Sequence, residues 1–235
     1  MHKRVLLKLS GEQLAGKVEH GFDADFAAWL AAELKKVTDA GIEVVVMVGG
    51  GNYARGAQLV GNGILRVTAD HIGMLATMMN ALALTDVFEY AGLPTRCLSN
   101  IYAEQVAEPF VFRLAEKHLQ KGRVVIVAGG IGRPYLTTDT AAVNLALEMN
   151  CDIVLKATKV DGVYDKDPAK FPDAQRIDHM TFQQAVTDPN IQVMDKAAMG
   201  LAMEHELQIT VFDPMPVDNI LKAARGEGVG TTIAS

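Results

Sequence analysis

The chain has 235 residues, 49% of them hydrophobic and 21% charged, with a formal net charge of -6. That composition excludes a disordered chain, and the acidic balance argues against a surface built to hold nucleic acid. Cys97 and Cys151 are the two cysteines. They stand apart in apolar contexts without metal-ligand spacing, so both read as reduced core thiols of a cytoplasmic protein. The opening MHKRVLLKLSGE is broken by Lys8 before a signal-peptide core can form. No apolar stretch approaches the roughly 18 residues of a membrane helix, so no membrane partner is expected.

Apolar strand-like runs alternate with helical patterns along the chain, which implies an α/β fold with a mostly parallel sheet covered on both faces. Val5–Leu9 is the first expected strand. A helix follows from Asp23, a suitable N-cap, to Ala40, with Phe26, Leu30, Leu34 and Val37 on one face and Gly41 ending it. Ile42–Val48 is a second strand, and a long helix runs from about Arg66 to Tyr90, with methionines 74, 78 and 79 as core or subunit-interface filling. Thr95–Leu98, Arg123–Ala128 and Ile153–Ala157 are further strands, separated by helices over Val111–Gln120 and Thr138–Met149. Helices around 181–187, 195–206 and 218–225 and strands at Ile209–Phe212 and 231–233 complete the series. A soft boundary near 150 divides one fold into two lobes, about 1–150 and 151–235.

Four strand ends carry candidate chemistry. In LLKLSGE, Lys8 sits inside an apolar strand, where an ammonium needs an anion at the strand end unless the strand lies at a wet edge. In VVVMVGGGNYARG, three glycines let backbone N–H groups approach a ligand, and Arg55 adds a charged fork. In VAGGIGRPYLTTDTAA, glycines end a strand and Thr137, Thr138 and Asp139 open a helix, with Thr138 or Asp139 as the expected N-cap. In KATKVDGVYDKDP, Lys156 and Lys159 flank a strand end, while Tyr164 can stack on a purine and Asp167 can accept hydrogen bonds. Each has a plainer reading as turn, cap or solvated loop. The Gly11–Lys17 stretch GEQLAGK mimics a P-loop, but Val18 stands where Ser or Thr is needed, so that assignment is rejected. A metal site at His71 and a Ser-His-Asp triad find no partners at the required spacing.

Taken together, KLSGE, GGGNYARG, DHIGMLATMMNALAL, TTDTAA, LKATKVDGVYDKDP, VMDKAA and GEGVGTTI resemble the bacterial uridylate kinases of the amino-acid kinase family, in order and spacing from the first strand to the C-terminus. The resemblance implies a three-layer αβα sandwich in a single domain, with the N-terminal lobe binding a nucleoside monophosphate and the C-terminal lobe binding ATP. It implies phosphoryl transfer from Mg·ATP to UMP, Mg²⁺ held mainly by the ATP phosphates, a homohexamer, and regulation by GTP and UTP. Position by position, Lys8, Leu9, Ser10, Gly11, Gly51 and Arg55 fall along the ATP phosphates, and Thr158, Tyr164 and Asp167 at the adenosine end. Gly50, Asp70, Ile131, Gly132, Arg133, Pro134, Tyr135, Leu136, Thr137 and Thr138 fall on UMP. Lys8, Arg55 and Asp139 are the implied catalytic group, with Asp139 and Asp195 organising lysines or metal.

The chain departs from the family's usual GTGNPFFTTD loop, reading GIGRPYLTTD with Ile131, Arg133 and Leu136 in place of Thr, Asn and Phe. Two side chains able to hydrogen-bond the base are therefore missing, which opens the question of base selectivity. The stretch 99–110 also differs from the usual form. Two other readings remain at this level: a related kinase acting on a carboxylate or carbamate, and a non-catalytic oxyanion-storage protein on the same fold.

Overall fold

A computed structural model describes residues 2–18, 20–61, 63–188, 191 and 193–235. The apolar runs become β1 (Arg4–Leu9), β2 (Glu43–Val48), β3 (Thr95–Ser99), β5 (Val124–Ala128), β6 (Ile153–Ala157) and β10 (Gln208–Phe212). With β4 (Glu108–Pro109), β9 (His179–Thr181) and β11 (Thr231–Ala234) they form a nine-stranded sheet of order β4-β3-β5-β2-β1-β6-β10-β11-β9. Every pairing in it is parallel except β10 with β11. A separate two-stranded ribbon joins β7 (Val163–Tyr164) and β8 (Arg176–Ile177).

Alternate residues of each central strand feed two cores. Val5, Leu7 and Leu9 of β1 pack on one side with Leu30 and Leu34 of α2 (Ala24–Asp39) and Leu84 and Phe88 of α4 (Arg66–Tyr90). Leu6 packs on the other, with Val143 and Leu145 of α6 (Thr138–Glu148) and Ala198 and Ala202 of α8 (Lys196–Glu204). Complete burial of each Leu or Val contributes roughly 1.5–3 kcal/mol, and the two layers make the expected αβα sandwich. The remaining helices are α1 (Gly11–Leu14), α3 (Gly56–Leu59), α5 (Phe112–Leu119), α7 (Phe182–Thr187) and α9 (Asn219–Arg225). Asp23 caps α2 as expected, accepting from the N–H groups of Asp25 and Phe26.

Two expectations need correction. The helix α4 spans 25 residues and reaches a mean hydropathy of 1.2 over 18 of them, so one segment is long and apolar enough to cross a membrane. It is instead a core helix, with Met78, Ala81, Leu84 and Phe88 buried against the sheet. The second concerns α6, whose N-cap is Thr137 rather than Thr138 or Asp139: its hydroxyl accepts from Asp139 N–H at 3.0 Å and Thr140 N–H at 3.4 Å. Among the short elements, α1, α3, β4, β7, β8 and β9 escaped the sequence patterns because runs of two to four residues show no periodicity.

Candidate active site

After β1 the chain builds β2, β5 and β3 on one side, then returns to place β6 and β10 on the other. The carboxyl ends of β1 and β6 therefore meet at a topological switch point, where open α/β sheets leave a crevice for ligands. Lys8 lies one residue before the end of β1, and Lys156 one residue before the end of β6; the two are register partners. Both side chains point to the α6 face and close on one carboxylate. Lys8 Nζ is 2.6 Å from Asp139 Oδ1, and Lys156 Nζ donates to Asp139 Oδ2 at 2.8 Å. The Lys8 contact is an ion pair rather than an aligned hydrogen bond, since Oδ1 has no well-directed donor. β1 sits in the middle of the sheet and Lys8 is only 7% exposed, so the wet-edge reading of this lysine fails.

Two ammoniums and one carboxylate leave this group with a charge of +1 at the mouth of the crevice. Burial by itself raises the Asp139 pKa, but Lys8 and Lys156 outweigh it and hold the carboxyl below its ordinary value. Asp139 also lies in the first turn of α6, where the helix dipole favours an anion. Burial pulls Lys156 below the usual lysine value, with Asp139 opposing. Asp195 does not organise these lysines directly. It caps α8 and accepts from the Thr140 hydroxyl at 2.9 Å and from the Thr137 hydroxyl, fastening two helix N-termini together. Burial opposes its ionisation, and the Thr137, Ala198 and Thr140 donors keep its pKa lowered all the same.

Lys8, Thr137, Thr138, Asp139, Lys156 and Asp195 line one cavity of about 310 Å³. An adjoining cavity of about 270 Å³ shares Lys156 and brings together Thr158, Tyr164 and Asp167. The Tyr164 hydroxyl donates to Asp161 at 2.6 Å, and Asp167 accepts from Ala169 N–H at 3.0 Å and pairs with Lys170 at 3.1 Å. Gly51 and Arg55 line a third cavity, of about 680 Å³, where the Arg55 guanidinium is paired with the carboxylate of Glu12. Arg55 thus does not share the cavity of Lys8.

The glycine loop is fixed by steric demand. A Cβ on Gly11 would lie 2.4 Å from Gly51 N, and one on Gly50 would meet Ala76 Cβ at 2.7 Å and Gly73 O at 2.8 Å. A Cβ on Gly51 would make only ordinary van der Waals contacts, the nearest with Glu12 Oε1 at 3.7 Å. Gly11 and Gly50 are therefore glycines because neighbouring atoms leave no room for a side chain there, whereas packing makes no such demand at Gly51. Ser10 forms a capping box with Gln13 that starts α1.

Asp70 and the 131–138 loop are brought together as expected. The Asp70 carboxylate accepts from Tyr135 N–H at 2.8 Å and from Arg66 at 2.9 Å, and the Arg66 guanidinium lies 5.3 Å from the Tyr135 ring centre. Ile131 packs on the second core, whereas Arg133, Tyr135 and Leu136 are exposed. Sequence reasoning noted Lys156 only as a flanking charge, and it passed over Arg66, Asn80 and Thr77, whose hydroxyl accepts from Gly129 N–H at 2.8 Å at the end of β5. A lysine one residue from the end of two apolar strands was the available signal for Lys156. Arg66 stands four residues before Asp70, the spacing of a helical ion pair.

The sequence profile of the amino acid kinase family matches residues 3–213. The chain is 48% identical to the uridylate kinase of Rickettsia bellii, over 99% of this chain and 97% of that one. Its structure resembles a UMP kinase from Bacillus anthracis (TM-score 0.94, 39% identity, 99% of this chain and 96% of that one). It also resembles a UMP kinase from Ureaplasma parvum (TM-score 0.92, 31% identity, 100% of both chains).

Proposed function

The chain belongs to the amino acid kinase family, and we infer from that membership and from the site that it is a nucleoside monophosphate kinase, transferring the γ-phosphoryl of ATP to UMP to give UDP and ADP. The observation that carries this reading is the Lys8–Asp139–Lys156 group at the carboxyl edge, between the two cavities and beside the glycine loop. Phosphoryl transfer asks for positioning and for neutralising charge on the moving group. An oxygen of the UMP phosphate, already anionic, attacks the γ-phosphorus while the bond to the β,γ-bridging oxygen breaks. No side-chain nucleophile is required. Asp139, held ionised, aims two ammoniums, and those offset charge on the transferring phosphoryl.

In this reading Lys8, Leu9, Ser10, Gly11, Gly51 and Arg55 follow the ATP phosphates, with Thr158, Tyr164 and Asp167 at the adenosine end. Arg55 would leave Glu12 for phosphate oxygens, a better-matched bidentate partner. Gly50, Asp70 and residues 131–138 hold UMP. The N-terminal lobe, about 1–150, would serve the acceptor and the C-terminal lobe, about 151–235, the adenosine of the donor. Backbone groups of the 131–138 loop would read the base, with Arg133 free to meet the base carbonyl or the phosphate.

Mg²⁺ belongs to the proposal as the ion on the ATP phosphates, where it would neutralise developing charge. Among the described residues no three of His, Cys, Asp and Glu converge, and Asp139 and Asp195 already carry partners. The donor set therefore fits an ion brought in by the triphosphate rather than a protein cage. We also propose a cytoplasmic homohexamer serving pyrimidine nucleotide synthesis, activated by GTP and inhibited by UTP. The exposed Leu75 and Met79, one turn apart on α4, support an association surface. An ADP-release assay offering UMP, CMP, AMP and small carboxylates tests the activity. Turnover with UMP is expected; none with UMP would sink the reading, and turnover with a carboxylate alone would move the chain to another branch of the family.

A further inference from the structure

The glycine loop is clamped from behind by two asparagine side chains that the activity has not yet used. Asn52 is 2% exposed and Asn80, in the middle of α4, is 0% exposed. Their amides face each other as a reciprocal pair, Asn52 Nδ2 donating to Asn80 Oδ1 at 2.8 Å and Asn80 Nδ2 to Asn52 Oδ1 at 2.7 Å. The second hydrogens go outward, from Asn52 to Gly21 O at 2.7 Å and from Asn80 to Gly49 O at 2.7 Å. All four amide hydrogens are satisfied without water. Both outer partners are carbonyls, so only the NH₂ groups can face them and the orientation is fixed.

The pair joins four segments. Gly21 N–H returns a bond to Asn52 O at 3.1 Å, and Gly49 N–H bonds Leu9 O at 2.8 Å at the end of β1. A Cβ on Gly11 would meet Asn52 Oδ1 at 2.5 Å and the Asn52 backbone nitrogen at 2.8 Å, so only glycine fits beside the clamp. Gly49 and Asn52 are the residues on either side of Gly50 and Gly51. The clamp therefore holds both ends of the two-residue segment that faces acceptor and donor, and ties it to a rigid helix.

We propose that the buried Asn52–Asn80 pair is a positioning unit for phosphoryl transfer, setting Gly50 and Gly51 at once so that both substrates share one register. This rests on the reading of the loop as the wall between UMP and ATP. Releasing either amide would shift the loop for both substrates together, and a misplacement near 1 Å can cost about 10²-fold in rate. A neutral packing role would lower stability without that signature.

The test compares Asn52→Ser, Asn80→Ser, the double variant and a control, Leu84→Ala, which opens a cavity in the same helix among core residues. Steady-state kinetics with UMP and Mg·ATP, each varied in turn, are read beside the Tm of each protein. Both single variants are expected to lose at least about tenfold in kcat/KM for each substrate. The double variant should fall no more than about threefold below the worse single, as two halves of one unit do. Leu84→Ala should lose Tm while its kcat/KM stays within twofold. If Asn80→Ser does not fold, Asn80→Asp, the same shape without the donors, carries the test. The proposal is overturned by loss toward one substrate only, by multiplicative losses in the double variant, by a control that loses as much, or by neither Asn80 variant folding. An unaltered chain without UMP turnover would overturn the kinase reading and this inference with it, whereas normal turnover in all variants would overturn the inference alone.

Discussion

Replacing Asp139 with Asn removes the one anion between a buried and a partly buried ammonium while keeping its shape. Lys8 and Lys156 touch opposite oxygens of the same carboxylate, at 2.6 and 2.8 Å, so their like charges repel unscreened by it once it is gone. Removing one partner of a buried ion pair costs about 3–5 kcal/mol, so Asp139→Asn should destabilise the fold by that amount at pH 7. With about 2.1 cal/mol/K of unfolding entropy per residue, the 235-residue chain has a slope near 0.5 kcal/mol/K, and Tm should fall by roughly 6–10 °C. The deficit should also depend on pH. Burial already depresses Lys156, and losing Asp139 removes what opposed that depression. Between its lowered folded value and the ordinary lysine value, the unfolded chain binds more protons than the folded one, so stability of the variant rises with pH. Calorimetry of both proteins at pH 7 and pH 10 reads this directly. A variant melting within 2 °C of the parent at pH 7, or a deficit unchanged at pH 10, would refute the view that one carboxylate holds two charged lysines.

Lys8→Ala leaves Asp139 paired with Lys156, so the protein should stay folded while ADP release with UMP falls by about 10²–10³; unchanged turnover would remove Lys8 from the chemistry. Gly50→Ala should destabilise by about 1–3 kcal/mol, because its Cβ has no room against α4, and a urea titration measures this. Gly51→Ala has room and should keep its Cm while KM for ATP rises, so equal stability losses for the two would contradict the division of the loop. Cys97 and Cys151 have thiols pushed up by burial to about 11 and about 12, so neither should react with a disulfide reagent at pH 8 until the chain unfolds. Rapid labelling of the native protein would show that these thiols are not sealed in the core.

Much of the site was legible one strand end at a time. A lysine inside LLKLS, glycines after VVVMV and a threonine-acid helix start are local signals, each with its own physical cause. Their assembly was not. Nothing local says that Lys8 and Lys156 are register partners 148 positions apart in the chain, since pairing of parallel strands is set by crossover topology. The α6 cap was expected one or two residues late, at Thr138 or Asp139, because three adjacent polar residues can each open a helix, and contact with Asp195 accompanies the Thr137 cap. Asn80 was invisible for a different reason. Within a helical run one polar residue looks like a solvent-facing position, and only the loop folded onto it reveals two carbonyl-bearing partners.

Sequence alone determined the layers and the chemistry on offer, because strand and helix periodicity and strand-end composition are written within a dozen residues. Through Lys8 it also posed a choice, between an anion at the end of the first strand and a lysine on a wet sheet edge, and the central place of β1 settled it. The tertiary structure decided which anion: Asp139, carried in by α6 and shared with Lys156. It decided too that Gly11 and Gly50 have no room for a side chain while Gly51 has. Those outcomes depend on distances between segments far apart in the chain, which are fixed only once the sheet order and the two cores are formed.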